Sequence, residues 1–303
     1  MKELIDYLSG RLNNANKQLL EKDIILHRIL LRLMQTQFRR EFAFKGGTCL
    51  TKCYFGYFRF SEDIDFTYIN QEEFKGKSQK EVRRLLSSKI DSILELLEKM
   101  AKELNLDFNK EKAHKRYVEL GGSNKFATFK LWYESDILKK EQFVKVQINF
   151  VELFTSRIIE NTAKSLYAAI PEKEMRLLYP GYEDIIQEVK VRSYSLTEIL
   201  FEKIRAILTR RSIKARDFID VYLIQRRVKA DLAREEIKIL KKIRFMLQYD
   251  KYLQNLSAMK LEEVVLGDEE KLLLEPLDEG LREFLPEFSK YLKALEKKLQ
   301  KQK

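Results

Sequence analysis

Residues 60–69, FSEDIDFTYI, alternate side chains with a period of two, and this pattern demands a strand. Phe60, Glu62, Ile64, Phe66 and Tyr68 fall on one side, with Ser61, Asp63, Asp65 and Thr67 on the other. Just upstream, EFAFK (41–45) reads as a short strand stopped by Gly46-Gly47, a doublet in a chain of 303 residues with only 10 glycines. TCLTKCYFGY (48–57) reads as a short helix that Thr48 can cap. Strand, glycine turn, helix and acid-bearing strand make one mechanical unit. Glycines let a backbone approach a phosphate closely, and a helix N-terminus points free N–H groups at it. Asp63 and Asp65 project the same way from their strand, about 6.5–7 Å apart at Cα. Two carboxylates so placed can share Mg²⁺, which prefers oxygen ligands and keeps phosphate oxygens in its shell. Asp-x-Asp alone describes a solvated strand edge equally well. Its coupling to Gly-Gly-Thr, with Arg59 and Ser61 close by, makes it a candidate site.

Around this unit, residues 1–40 carry apolar residues at helical spacing, and a long helix is expected from Ser78 to Glu103. Strands are expected at KFATFKLWYE (125–134) and QFVKVQINFVE (142–152). Pro171 and Pro180-Gly181 punctuate a loop-rich passage, and from about residue 191 the pattern is almost wholly helical. The basic tail KKLQKQK (297–303) reads as a frayed helix end. This predicts a mixed α/β domain over 1–190 with a helical arm over 1–40, and a helical domain over 191–303. No apolar run reaches the roughly 18 residues of a membrane span, and the start lacks the apolar core of a signal peptide. A cytoplasmic protein is expected.

Chemistry is bounded by what is scarce. His27 and His114 are the only histidines, the first in an apolar helical run and the second among basic residues, so a histidine-based hydrolase or nuclease is hard to assemble. Cys49 and Cys53 cannot complete a structural zinc site and read as buried, reduced core residues. The formal net charge of +11 makes polyanions plausible partners without specifying one.

In the second half, Ser195 and Glu198 match the capping-box pattern at the start of a helix. Lys203 falls on that helix's apolar stripe, where a lysine must find an anion or reach solvent.

The runs KGGTCL and RFSEDIDF resemble the start of the AbiEii/AbiGii-type nucleotidyltransferases, toxin halves of two-gene toxin–antitoxin and phage-defence systems within the DNA polymerase β superfamily. The stretch SLTEILFEKIRAILTRRSIKARDFIDVYLI (195–224) is similar to a later motif of that family. The resemblance implies a mixed α/β fold, a polymerase-β-like nucleotidyltransferase sheet flanked by helices, followed by a helical C-terminal domain, with the nucleotide in the cleft between them. It implies a type IV-like toxin that transfers a nucleoside monophosphate from an NTP, with pyrophosphate released, to an RNA acceptor, the tRNA 3′ end, and so blocks translation. A protein hydroxyl or a small molecule is the alternative acceptor, and a non-catalytic RNA-binding protein the alternative class. Asp63 and Asp65 would hold Mg²⁺, with Mn²⁺ as a substitute, while Lys45, Gly46, Gly47, Thr48, Arg59 and Ser61 would bind the nucleotide. Lys203 would grip phosphates and Asp217 would serve as a catalytic or structural acid, with Glu198, Arg216 and Asp220 structural. A cognate antitoxin with a winged-helix DNA-binding region is the implied partner.

One departure stands out. Many superfamily members carry a third carboxylate on a neighbouring strand, where QFVKVQINFVE offers Gln147 and Asn149. Amides can position water but cannot take a proton near neutral pH. Asp217, Glu152 and Asp136 stay open as substitutes, as does a site without a third acid.

Overall fold

The computed structural model describes residues 1–258, 272–274 and 279–300. The last three residues of the basic tail therefore lie outside the described residues. In chain order the elements are α1 (Lys2–Arg11), α2 (Lys17–Met34), α3 (Phe38–Glu41), β1 (Phe42–Lys45) and α4 (Gly46–Leu50). A π-helical turn over Thr51–Phe55 continues α4. Then come β2 (Asp63–Tyr68), α5 (Gln79–Leu104), β3 (Val118–Gly121), β4 (Phe126–Glu134), β5 (Glu141–Asn149), β6 (Ile158–Ala163), α6 (Glu172–Leu178) and β7 (Val189–Tyr194). Helices α7 (Leu196–Thr209), α8 (Ala215–Val228), α9 (Leu232–Leu247), α10 (Asp250–Ser257) and α11 (Gly280–Gln300) follow.

The fold is mixed α/β with a helical C-terminal region, as the pattern predicts. The chain divides into two compact units, one comprising residues 1–152 and 160–193, the other 153–159 and 194–303. The first unit is built on a seven-stranded mixed sheet of order β3-β4-β5-β2-β1-β7-β6. β2 pairs antiparallel with β1 and parallel with β5, and β4 pairs antiparallel with β5. Helix α2 packs against β2 and β5, and α5 against α2. The apolar members of each alternation (Ile64 and Phe66, Val144 and Val146, Phe129 and Leu131) are buried, while Asp63, Asp65, Lys145 and Lys130 on the opposite face are only partly covered. Helix α5 begins with a complete capping box from Ser78 and Glu81 and ends at Asn105 in the left-handed region, φ 56°.

The second unit packs α7 against α8 and α9. Ser195 caps α7 by accepting from the Glu198 N–H, but the box is not closed, which corrects the sequence expectation. The Glu198 carboxylate instead accepts from Thr155 N–H at 3.1 Å, Ser156 N–H at 2.7 Å and Lys242 Nζ at 2.6 Å. With Glu198 and Lys242 both buried, the pair ties residues 155 and 156 to the helices. Among the described residues no helix is long and apolar enough to cross a membrane. Cys49 is buried as expected, whereas Cys53, in the π turn, is only half-buried, which corrects the expectation that both are core residues.

Candidate active site

Strand β1 delivers the chain to Gly46 with φ +75°, a left-handed conformation that glycine adopts without strain. A Cβ at Gly46 would collide with the Asp65 carboxylate, and one at Gly47 with the Arg59 guanidinium. Both glycines are thus required by close approach as well as by the turn. The helix begins at Gly46 itself, so Thr48 lies inside it and is not its cap. The left-handed glycine lets the chain enter the helix three residues earlier than a Thr48 cap would. Thr48 acts instead as a latch, its hydroxyl donating to the Asp63 carbonyl and accepting from Ser61 Oγ at 2.6 Å, which holds α4 to the start of β2. Arg59 is buried and donates to the Phe60 carbonyl at 3.0 Å.

Asp63 and Asp65 occupy the first and third positions of β2, both half-buried and on one face. Lys45 stands directly opposite Asp65 in the β1–β2 register and is itself buried, which sets a cation beside the acids. The Asp63 carboxylate has no ion-pair partner among the described residues. Gln147 stands opposite Asp65 on β5, so the neighbouring strand presents an amide where a third acid would sit. Asp136 lies in the turn after β4, paired with the N-terminal amine at 3.3 Å and Lys139 at 3.6 Å. Glu152 lies beyond the end of β5, its N–H on Gln71 Oε1 at 2.9 Å. Neither joins the row of Asp63 and Asp65.

Beneath the cradle, the π turn buries Lys52 against Asp23 at 3.1 Å, with the Tyr57 hydroxyl completing the cluster. His27 donates Nε2–H to the Gln187 carbonyl at 2.9 Å, leaving Nδ1 to face Lys52 at 3.5 Å. Burial, then the Lys52 charge, lower its pKa to about 3, so His27 is neutral. Sequence reasoning misses this polar cluster, although Asp23 and His27, four apart in an apolar helical run, are its signal.

In the second unit Lys203 finds its anions: Asp217 at 2.7 Å and Asp220 at 2.6 Å, all three side chains being largely buried. Arg210 also pairs with Asp217. Burial would push the Asp217 pKa up, but Lys203 and Arg210 together pull it down to about 2. A carboxylate held that low is a poor proton acceptor near neutral pH and a good ion-pair anchor. Asp220, read from the sequence as merely structural, is an equal partner of Lys203. The two sets of residues, Lys45 to Asp65 and Lys203 to Asp220, belong to different units.

Glycine cradle, helix start and Asp-x-Asp strand are the parts of a nucleotide-phosphate site. The family model for the Nucleotidyl transferase AbiEii toxin, Type IV toxin–antitoxin system, matches residues 28–301. The chain belongs to the AbiEii nucleotidyltransferase toxin family. As a member it is a nucleotidyltransferase, and the toxin–antitoxin class implies an antitoxin partner. No curated relative matches the chain. Among solved structures it is similar to JHP933 from Helicobacter pylori, at 18% identity and TM-score 0.46 over 94% of each chain. A second H. pylori structure, described as that of a presumed nucleotidyltransferase, matches at 18% identity and TM-score 0.44, over 94% of this chain and 98% of that one.

Proposed function

We propose that this AbiEii-family chain transfers a nucleoside monophosphate from an NTP to the 3′ end of tRNA, releasing pyrophosphate and blocking translation. The observation that carries the reading is the Gly46 backbone, left-handed and in contact with the Asp65 carboxylate at the N-terminus of α4. A triphosphate over that turn would meet free N–H groups and the two acids together. Mg²⁺, or Mn²⁺ in its place, would be held by Asp63 and Asp65. The donor set fits: a half-buried carboxylate without an ion-pair partner, a second carboxylate beside it, and no larger group of His, Cys, Asp or Glu among the described residues. Magnesium sites on nucleotides are of this kind, with few protein carboxylates and several phosphate and water oxygens. Bound there, the ion would neutralise charge on the triphosphate.

The chain's own residues supply positioning. The N–H groups at Gly46 and Gly47 cradle phosphate oxygens, the Thr48–Ser61 latch keeps α4 on β2, and Arg59 supports Gly47 from beneath. Lys203, held in its own unit by Asp217 and Asp220, is carried as a further phosphate-binding candidate. The cognate antitoxin would carry a winged-helix DNA-binding region, and the +11 charge suits an RNA acceptor.

The test is incubation with each labelled NTP, Mg²⁺ and total RNA. Label should appear in tRNA-sized RNA and vanish with Asp63→Asn. Label in a low-mass product or in protein would defeat the tRNA acceptor. No label and no pyrophosphate under any condition would defeat the reaction itself.

A further inference from the structure

The half-covered face of the sheet continues past the acids. In register, Asp63 stands opposite Lys145 on β5, and Lys145 opposite Lys130 on β4. Phe143 and Trp132 form a pair two residues further along the same strands. Opposed residues share a face, and so do residues two apart, so acids, lysines and rings lie on one surface with strands about 4.8 Å apart. The two rings are half-buried, their centroids 4.7 Å apart. Lys130 and Lys145 place their ammonium groups 5.7 and 5.6 Å from the Phe143 centroid, and the Arg116 guanidinium lies 4.1 Å over Trp132. Arg116 pairs with Glu141 and Asp107, and Lys130 with Glu119, all exposed acids whose hold is weak. Lys145 has no carboxylate partner among the described residues.

We propose that Lys145, Phe143 and Trp132, flanked by Lys130 and Arg116, bind the single-stranded end of an RNA acceptor. Bases stack on the two rings, and a phosphate meets Lys145. Aromatic platforms beside cations bind single strands in this way without reading sequence. The proposal rests on the nucleotidyl-transfer reading above, which supplies its direction. The glycine cradle follows β1, on one side of β2, whereas this strip lies on β5 and β4, on the other. Attacking and leaving oxygens stand roughly in line in phosphoryl transfer. With pyrophosphate departing on the β1 side, the acceptor hydroxyl arrives from the β5 side. Its oxygen bonds to the α-phosphorus as the bond to pyrophosphate breaks, and its proton passes to water.

Trp132 is the only tryptophan of the chain, so its fluorescence reports the strip directly. The full chain is titrated with a short single-stranded oligoribonucleotide, without NTP or divalent metal. Saturable quenching is expected, with little from a duplex of the same sequence. Phe143→Leu should weaken binding by roughly five- to hundredfold through lost stacking. Lys145→Gln, a change at a partly exposed lysine that tests the strip even if Phe143→Leu unfolds, should lower the salt slope by about one. No quenching, or quenching unchanged in both variants, overturns the proposal. Transfer from labelled NTP is measured in parallel. Wild-type and variant chains labelling RNA equally well would remove the strip and leave the transferase reading intact. Saturable, variant-sensitive quenching without transfer to any acceptor would count against the transferase reading alone.

Discussion

Replacing Lys203 by Met separates its anchoring role from its chemistry. Its ammonium lies 2.7 Å from Asp217 and 2.6 Å from Asp220, whose side chains are 2% and 0% exposed. In Lys203→Met, Asp217 keeps Arg210, while Asp220 must hold its charge in the interior without that ammonium. Removing one partner of a buried ion pair costs about 3–5 kcal/mol. For a chain of this size that is a fall of roughly 10 °C in melting temperature. Asp220→Asn in the same chain removes the offending charge, so the double variant should regain about half the loss or more.

The pH dependence has a definite sign. Burial would raise the Asp217 pKa, and Lys203 is the leading cause that lowers it. Without Lys203 that acid-labile contribution shrinks, and Lys203→Met loses less stability than wild type as pH falls below about 4. Thermal unfolding of wild type, both single variants and the double variant at neutral pH and below about pH 4 measures all of this. Lys203→Met as stable as wild type, or Asp220→Asn adding a further loss on top of it, would rule out Lys203 as the anchor of Asp220. Transfer activity completes the experiment: if Lys203 reaches phosphate, the double variant stays down tenfold or more after its stability returns, about 1.4 kcal/mol per factor of ten.

Asp217, held at about 2 against an ordinary 3.8, contributes about 2 kcal/mol that is present above pH 4 and lost as pH falls from about 4 to 2. Acid unfolding of Asp217→Asn should lack that component, and a curve parallel to wild type would contradict it. Gly46→Ala meets both a left-handed backbone and the Asp65 carboxylate, so a loss of about 1–3 kcal/mol is expected, together with loss of nucleotide binding by calorimetry. Normal affinity in that variant would remove the cradle. Asp63→Asn should reduce transfer to a few per cent or less with an unchanged or slightly higher melting temperature in metal-free buffer, since one of two like charges is gone. Substantial residual transfer would remove Asp63 from the site.

Features that depend on near neighbours are legible in the chain. The alternation of residues 60–69 places Asp63 and Asp65 on one face before any partner strand is known, and the structure keeps that face. Gly46-Gly47 is a local demand of the backbone. The long helix from Ser78 carries its cap and stripe in its own sequence. The short strands β3 and β6 are not legible, because VELG has too few residues to show a period and IIENTA does not alternate. VKVRSY does alternate, but β7 is masked by the helical pattern that begins directly after it. Side-chain pattern puts Thr48 at the cap, because the left-handed glycine that starts the helix at residue 46 leaves no trace in that pattern.

Partners across long sequence separation are a different matter, and here the two acid pairs instruct by contrast. A lysine on an apolar stripe announces that it needs an anion, but only the packing of α7 on α8 selects Asp217 and Asp220 together. That pair is compensated by the protein's own cations, with Asp217 held in the interior at a depressed pKa. Asp63, by contrast, stays half-buried with no ion-pair partner among the described residues, although Lys145 stands opposite it in register with its ammonium over the Phe143 ring. Two like charges two residues apart on a strand repel; Lys45 stands opposite Asp65, and a cation from outside beside Asp63 would relieve the repulsion further. The compensated pair therefore serves as an anchor. On the reading proposed above, Asp63 on β2 is where a metal ion would be held.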